Sequence, residues 1–469
     1  MPSPAFHQQR RAAFLRSLDG PVLLFAGGQR SRNYPANYLP FRADSNFLYF
    51  FDSPEPDAAA FFDPADGTVR LFLHERTTAD ALWHGATPPF ETEKTRHRVD
   101  EVLAVERLED EVRRLAKGRS VRSLAVADHR TTLRARSVTG EALDFDAADG
   151  PGDARVCDAI FALRKLKQSE ELEQVRRAAA ITREAHLAAM RHTRAGSSEQ
   201  ELVGVVEGTF AHHGSVPAYG TILSVRGEVL HNNHHGNPLR DGDLVLLDAG
   251  AEVASGYCAD VTRVWPVSGK FTAEQGEVYD IVLRAELAAI AAVKPGVRYR
   301  DVHLTSARVV ADGLVQMGLL RGRPDTLAES GAHAVFFPHG VGHQLGLDVH
   351  DMESFGDRVH YPGGRKRSEQ FGTGYLRMDR DLEVGLLFTI EPGIYFVPAI
   401  LTDATLRERF HDSVDWQRAE RFVAANAGRG FGGIRIEDDV LCTTSGAEVL
   451  TAAIPKDRAA VEKAVGAAR

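Results

Sequence analysis

The chain has 469 residues, more than one hydrophobic core ordinarily serves, so two domains are expected. Its composition, 43% apolar and 26% charged, is that of a globular chain, and no run approaches the roughly 20 apolar residues of a membrane span. A net charge of −9 argues against nucleic acid as a partner, and Cys157, Cys258 and Cys442, odd in number and far apart, predict a reducing compartment. The first ten residues carry no apolar core and cleavage site for secretion, so a cytoplasmic address is expected.

In chain order, short β-rich runs such as Val22–Phe25 and Leu71–Leu73 alternate with helical stretches, which predicts a small α/β domain over 1–150. The acidic, turn-rich segment Asp144–Asp153 reads as its boundary loop. A second domain is expected over 165–469. It opens with a long amphipathic helix over 167–190, and a further helix is expected over 280–293, closed by Pro295-Gly296. The basic cluster Arg365-Lys366-Arg367 reads as a solvated loop. Two segments echo one another, Asp241–Gly250 and Leu382–Gly393: each has a polar turn, an apolar strand, a carboxylate at the strand's end and then a Gly. That pattern predicts an internally duplicated domain.

The informative residues are acids in apolar strands. Asp248 ends Leu244–Asp248, Glu391 ends Leu386–Glu391, and Glu437 closes Gly433–Glu437. In the last run, alternation puts Arg435 and Glu437 on one face and Ile434 and Ile436 on the other. Burying a carboxylate is costly unless it is paired or bound to metal. One such acid reads as a strand-end salt bridge; three call for a shared cation. Asp260 follows Asp248 by 12 residues, with Val253–Tyr257 able to turn between them, so a hairpin would bring both acids to one end of a sheet. A nitrogen ligand is expected in Phe336–Asp351, where His339, His343 and His350 are interleaved with Gly340, Gly342 and Gly346.

One nitrogen and four carboxylates suit divalent ions of intermediate hardness: Mn, Co, Fe or Zn. Four acids exceed the needs of one catalytic ion, whereas two ions about 3.5–4 Å apart use them well. Such a pair is machinery for hydrolysis. The rival signatures G-x-S-x-G, G-x-x-x-x-G-K-[ST] and H-E-x-x-H are missing from the sequence.

Taken in order, these residues resemble the creatinase/aminopeptidase-P/prolidase group of pita-bread metallopeptidases. The likeness runs through Asp248-Ala-Gly, Tyr257-Cys-Ala-Asp-Val-Thr-Arg, His339-Gly-Val-Gly-His-Gln-Leu-Gly, Val349-His-Asp, Thr389-Ile-Glu-Pro-Gly-Ile-Tyr and Gly433-Ile-Arg-Ile-Glu-Asp. Phe41-Arg-Ala-Asp-Ser-Asn-Phe-Leu-Tyr49 looks like the leading domain of aminopeptidases P and long prolidases. The resemblance implies an α/β N-terminal domain and an α+β pita-bread catalytic domain with a pseudo-twofold duplication. It implies two divalent ions per chain, with Mn the first expectation, on Asp248, Asp260, His343, Glu391 and Glu437. Glu391 would also shuttle the proton of the attacking water. His231 and His350 would contact substrate and steady the tetrahedral intermediate, His339 would line the site, and Arg435 would sit beside the metal carboxylates and against the substrate. The implied substrate is a peptide with proline at its second position, and the implied assembly a homodimer.

Two departures stand out. The family hairpin usually spaces its aspartates by 11, and here the spacing is 12, which reads as one extra turn residue. Asn232-Asn-His-His-Gly replaces the usual residues after the substrate histidine. Between His350 and Glu391 the chain inserts Met352–Asp379, where Arg377 resembles the prolidase arginine that grips the free carboxylate of a dipeptide. A solvated loop arginine is the competing reading of Arg377. The expectation leans to Xaa-Pro dipeptides. Its alternatives are an aminopeptidase P acting on longer Xaa-Pro peptides, a silent pita-bread binding module, and creatinase-like or phosphotriesterase-like hydrolysis.

Overall fold

The computed structural model describes residues 1–466 apart from 53 and 54, and it divides into two compact units. The first comprises Met1–Glu171 with Met352–Val359, the second Leu172–Asp351 with His360–Arg469.

The first unit is built on a mixed five-stranded sheet. Its strands are β1 (Val22–Phe25), β2 (Ala59–Asp63), β3 (Thr68–Leu73), β4 (Glu101–Ala104) and β5 (Arg122–Ser123), in the order β4-β3-β2-β1-β5. β1, β2 and most of β3 are buried, as expected of near-continuous apolar runs with helices packed on them. The unit extends past the loop at 144–153 because helix Ala154–Arg164 turns back onto it. Arg164 donates to Asn46 Oδ1 at 2.6 Å, and the Leu163 carbonyl accepts the Tyr49 hydroxyl at 2.9 Å.

The second unit carries the strand-end acids. Its strands are β6 (Val216–Pro217), β7 (Ile222–Ser224), β8 (Leu244–Asp248), β9 (Ala251–Glu252), β10 (Thr262–Pro266), β11 (Leu387–Ile390), β12 (Gly393–Tyr395), β13 (Gly433–Arg435), β14 (Asp438–Thr443) and β15 (Gly446–Val449). Two three-stranded antiparallel sheets, β10-β8-β7 and β11-β14-β15, repeat one another's design, and the pairs β12-β13 and β6-β9 accompany them. Each triple delivers an acid at the end of a strand, which is the origin of the echo in the sequence.

Helices Ser169–His192, Glu199–His212, Ala273–Ala292 and Tyr299–Gln316 belong to this half of the chain. The helix expected over 280–293 starts earlier than its apolar spacing predicts, at Ala273. Thr272 caps it, accepting from Gln275 N–H while the Gln275 side chain accepts from Thr272 N–H, so the first two turns, Ala273–Tyr279, are already helical. Among the described residues, no helix is long and apolar enough to cross a membrane.

Candidate metal centre

Register places the first two acids. In the β8–β10 hairpin Asp248 faces Thr262, and on its other side it pairs with Ile222 of β7. The connecting turn spans Val253–Tyr257, closed by the Gly256 N–H on the Val253 carbonyl at 2.7 Å. It accommodates the twelfth residue of the spacing, and Asp260 returns to the same end of the sheet as Asp248. Gly250 is required here: a Cβ would stand 1.7 Å from the Ala259 carbonyl oxygen.

The histidine run is laid along β11. The Thr389 N–H donates to the His343 carbonyl and the Glu391 N–H to the Val341 carbonyl, both at 2.8 Å. His343 is thereby fixed beside Glu391, which lies one residue past the strand rather than in it. Glu437 likewise falls between β13 and β14, and its N–H donates to the Thr262 carbonyl at 3.1 Å. Arg435 and Glu437 share a face, as alternation predicts. Arg435 Nε donates to Thr262 Oγ1 at 2.9 Å, and Thr262 Oγ1 donates to Glu437 Oε2 at 2.7 Å. Ile434 and Ile436 are fully buried on the opposite face.

The five expected ligands converge. Ligand atoms of Asp260, His343 and Glu437 lie within 4.8 Å of one another. His343 Nε2 is 3.3 Å from Asp260 Oδ2 and 3.7 Å from Glu391 Oε1. His343 Nδ1 is 3.0 Å from the Gln344 carbonyl, which only accepts, so the neutral ring carries its proton on Nδ1 and points the Nε2 lone pair at two carboxylates. Two atoms bound to one ion at about 2.1 Å each lie no more than about 4.2 Å apart, and both separations fall inside that span. The donor set therefore fits a divalent cation. Asp248 is held by a different pattern: Oδ2 accepts from Arg435 Nη2 at 2.5 Å, and Oδ1 is 2.5 Å from the Tyr219 hydroxyl, which also bonds to Asp260.

The electrostatics agree. Burial, opposed by Arg435 and reinforced by Asp260, pushes Asp248 up to about 6. Burial also pushes Glu391 up to about 7; His343 and Arg435 pull the other way. Glu437 is driven well above the usual range by burial and by Asp260, Glu391 and Asp248. Burial works against Asp260 too, but when no metal is bound and His343 is protonated on both nitrogens, its Nε2–H and its charge bring Asp260 below its ordinary value. Burial lowers and Asp260 raises His343, and the net shift is upward. Four buried carboxylates lining one pocket repel one another, and a cation among them relieves that repulsion.

These residues line a cavity of about 800 Å³ together with His231, His339, His350, Arg377 and Arg435. His350 packs against His343, ring centroids 4.2 Å apart and planes inclined by 54°. His339 Nδ1 is 2.7 Å from the Gly340 carbonyl and therefore donates, so Nε2 accepts from the Tyr395 hydroxyl at 2.9 Å. Burial, then Arg435, lowers its pKa to about 3, so this ring stays neutral. His231 lies at the exposed rim, its pKa lowered by desolvation, Arg435 and Arg377. Arg377 faces the cavity from a loop tethered on both sides: the Leu376 carbonyl accepts from Arg367 Nη1 at 2.7 Å, and Asp379 accepts from Arg298 Nε at 2.6 Å. Arg435 is engaged through all three nitrogens, the last being Nη1 on the Tyr395 hydroxyl at 3.0 Å. Sequence reasoning missed Tyr219, whose position in Val216-Pro-Ala-Tyr219-Gly carries no ligand-like spacing.

The description "Metallopeptidase family M24" matches residues 173–444 and "Aminopeptidase P, N-terminal domain" matches residues 7–124. The chain belongs to metallopeptidase family M24. It is 33% identical over 477 residues to an Xaa-Pro aminopeptidase of Escherichia coli strain K12, covering 98% of each chain. It is also 33% identical over 449 residues to an Xaa-Pro dipeptidase of Homo sapiens, covering 92% of this chain and 86% of that one. Zinc-substituted aminopeptidase P of Escherichia coli, solved with product, superposes with a TM-score of 0.81 at 30% identity over 100% of this chain and 99% of its own. Aminopeptidase PepP of Pseudomonas aeruginosa gives 0.82 at 31% over the same shares. The M24 chain therefore has an α/β N-terminal domain and a pita-bread catalytic domain, and it is a metallopeptidase that uses divalent metal.

Proposed function

We propose that this M24 chain is an Xaa-Pro aminopeptidase, removing the N-terminal residue from peptides with proline at the second position. The observation that carries the metal chemistry is His343 Nε2 standing 3.3 Å from Asp260 Oδ2 and 3.7 Å from Glu391 Oε1. The observation that favours longer peptides over dipeptides is coverage: the aminopeptidase relative matches 98% of its length, the dipeptidase relative 86%. That shifts the reading from the dipeptide lean of the sequence to its alternative.

In this reading Asp248, Asp260, His343, Glu391 and Glu437 hold two divalent ions, Mn by first expectation. When bound, the ions polarise the scissile carbonyl and acidify water near neutral pH. Glu391 takes the proton of the attacking water and passes it to the leaving proline nitrogen. That nitrogen is tertiary and has no N–H to offer the enzyme, so rigid placement of the substrate does the work of a hydrogen bond. His231, at the rim, and His350, packed against His343, meet the substrate and donate to the oxygen that gains charge. His339 stays neutral and lines the pocket. Arg435 holds Asp248 and the Thr262–Glu437 pair in place and bounds the substrate side of the pocket. Arg377, which lines the same cavity, would meet a carboxylate or carbonyl beyond proline. A homodimer in the cytoplasm completes the proposal.

The test is a panel of Xaa-Pro and Xaa-Pro-Yaa peptides after metal stripping and reloading with Mn, Co, Zn or Fe. Faster release from tripeptides supports the reading. Cleavage confined to dipeptides returns it to a dipeptidase. No cleavage with any metal, in protein that retains ions, makes the chain a binding module.

A further inference from the structure

Behind Glu437 lies a second buried charge cluster that the proposed reaction does not use. Asp438 Oδ1 meets Arg263 Nη2 at 2.7 Å and Thr451 Oγ1 at 2.7 Å. Its other oxygen, Oδ2, meets Lys456 Nζ at 2.5 Å, and Lys456 Nζ meets Glu286 Oε1 at 2.6 Å. The side chains of Arg263, Asp438 and Glu286 are 0% exposed and that of Lys456 is 18% exposed. Glu286 comes from helix Ala273–Ala292 and Lys456 from the segment after β15, so the cluster ties two remote parts of the chain to β14.

Arg263 carries the cluster to the metal centre. Its Nη1 donates to the Glu437 carbonyl at 2.6 Å and to the Thr262 carbonyl at 3.0 Å. Its Nε and Nη2 are anchored on the Pro455 and Ile454 carbonyls at 3.0 and 3.1 Å. Thr262 then grips Glu437 twice, through its carbonyl on the backbone and its hydroxyl on Oε2. The backbone on both sides of one ligand is therefore held by a single guanidinium, and that guanidinium is held by Asp438 and, through it, Lys456.

A buried ion pair is weak evidence for stability, because desolvation offsets most of its attraction. Partners that orient a metal ligand are worth more, typically 10–100-fold in metal affinity. We propose that Lys456, anchored by Glu286, is a positioning residue that sets how tightly Glu437 holds a divalent ion, acting through Asp438 and Arg263. This rests on the reading of Glu437 as a metal ligand.

The experiment uses the full chain. Mn(II) is titrated onto EDTA-stripped wild type, Lys456→Met, Lys456→Arg and Glu286→Gln, with free Mn(II) read by its EPR signal and Tm measured with and without metal. The expected result is a dissociation constant at least about 10-fold weaker in Lys456→Met, a smaller loosening in Glu286→Gln, and recovery towards wild type in Lys456→Arg. The rise of Tm on adding Mn(II) shrinks in step with affinity. A Lys456→Met chain that melts lower but binds Mn(II) like wild type makes the cluster a staple of the fold and overturns the inference. If Lys456→Met does not fold, Glu286→Gln decides by the same readout, and wild-type affinity there overturns it. A wild type that holds no Mn(II) defeats the reading of the centre itself, and this inference with it.

Discussion

The Tyr219 hydroxyl lies 2.5 Å from Asp248 Oδ1 and bonds to Asp260 as well, bridging the two acids of the β8–β10 hairpin. Burial, Asp248 and Asp260 hold this phenol well above its ordinary pKa, so it stays a neutral donor. It orients both carboxylates without adding charge. Tyr219→Phe keeps the ring and removes the donor, leaving the two acids to repel. The expected outcome is Mn(II) affinity weakened on the order of 10-fold, with the fold retained by circular dichroism. Unchanged affinity in a calorimetric titration contradicts this role.

Gly342 sits where the histidine run presses on β11. A Cβ there would stand 2.2 Å from the Thr389 carbonyl oxygen and 2.5 Å from the Tyr299 hydroxyl, both buried. Gly342→Ala must push His343 away from Glu391. Overpacking of this kind costs about 1–3 kcal/mol. We expect a lower Tm and loss of metal retention together. Gly204→Ala is the control: it lies inside helix Glu199–His212 with nothing within 4 Å, and it is expected to stabilise by about 1 kcal/mol or less. A Gly342→Ala chain that keeps its ions at wild-type affinity counts against the strand contact as the positioning element.

The acids were legible because each breaks a rule. Asp248 ends a strand that is otherwise Leu and Val, and a carboxylate buried at 8% exposure needs an explanation within the sequence itself. Asp260 was legible through the hairpin, since a turn at Val253–Tyr257 fixes where the returning strand must lie. Tyr219 and Lys456 were not. A tyrosine hydroxyl or a lysine at a remote position has no periodicity, and their partners are 29 and 18 residues away. The extent of the first unit was obscured for a similar reason: helix Ala154–Arg164 is tied down by Asn46 and Tyr49, which no local pattern connects to it.

Under the proposed function, the inserted loop is the place where substrate length is sensed. Arg377 lines the cavity, and Tyr375, 60% exposed, stands at its mouth beside Phe371 with ring centroids 6.4 Å apart. A hydrogen bond to a charged group contributes about 1.5–3 kcal/mol, so Arg377→Ala is expected to raise KM for Xaa-Pro dipeptides by about 10-fold or more. Tripeptide amides, which carry no free carboxylate, are expected to lose less. Tyr375→Ala leaves stability within about 0.5 kcal/mol, as an exposed side chain should, but raises KM for tripeptides with an aromatic third residue. Equal losses on dipeptides and tripeptide amides in Arg377→Ala remove the carboxylate contact from the reading.

Acid sensitivity follows from a buried histidine outside the metal centre. His333 is fully buried; its Nδ1 is 3.3 Å from the Leu327 carbonyl, and burial lowers its pKa from the usual 6.5 to about 4. The folded-state pKa is the lower one, so below about pH 6.5 the unfolded chain takes up a proton that the folded chain refuses until about pH 4. Stability is therefore lost as pH falls through that window and is unchanged by this group above it. One pKa unit corresponds to about 1.4 kcal/mol, which makes the total contribution about 3 kcal/mol. His333→Asn keeps a donor for the Leu327 carbonyl but does not titrate. Urea unfolding of both chains in EDTA, at half-unit steps from pH 7 to pH 4.5, isolates the difference. Wild type is expected to lose stability more steeply than the variant as pH falls below about 6.5. Parallel curves mean that His333 takes its proton without unfolding.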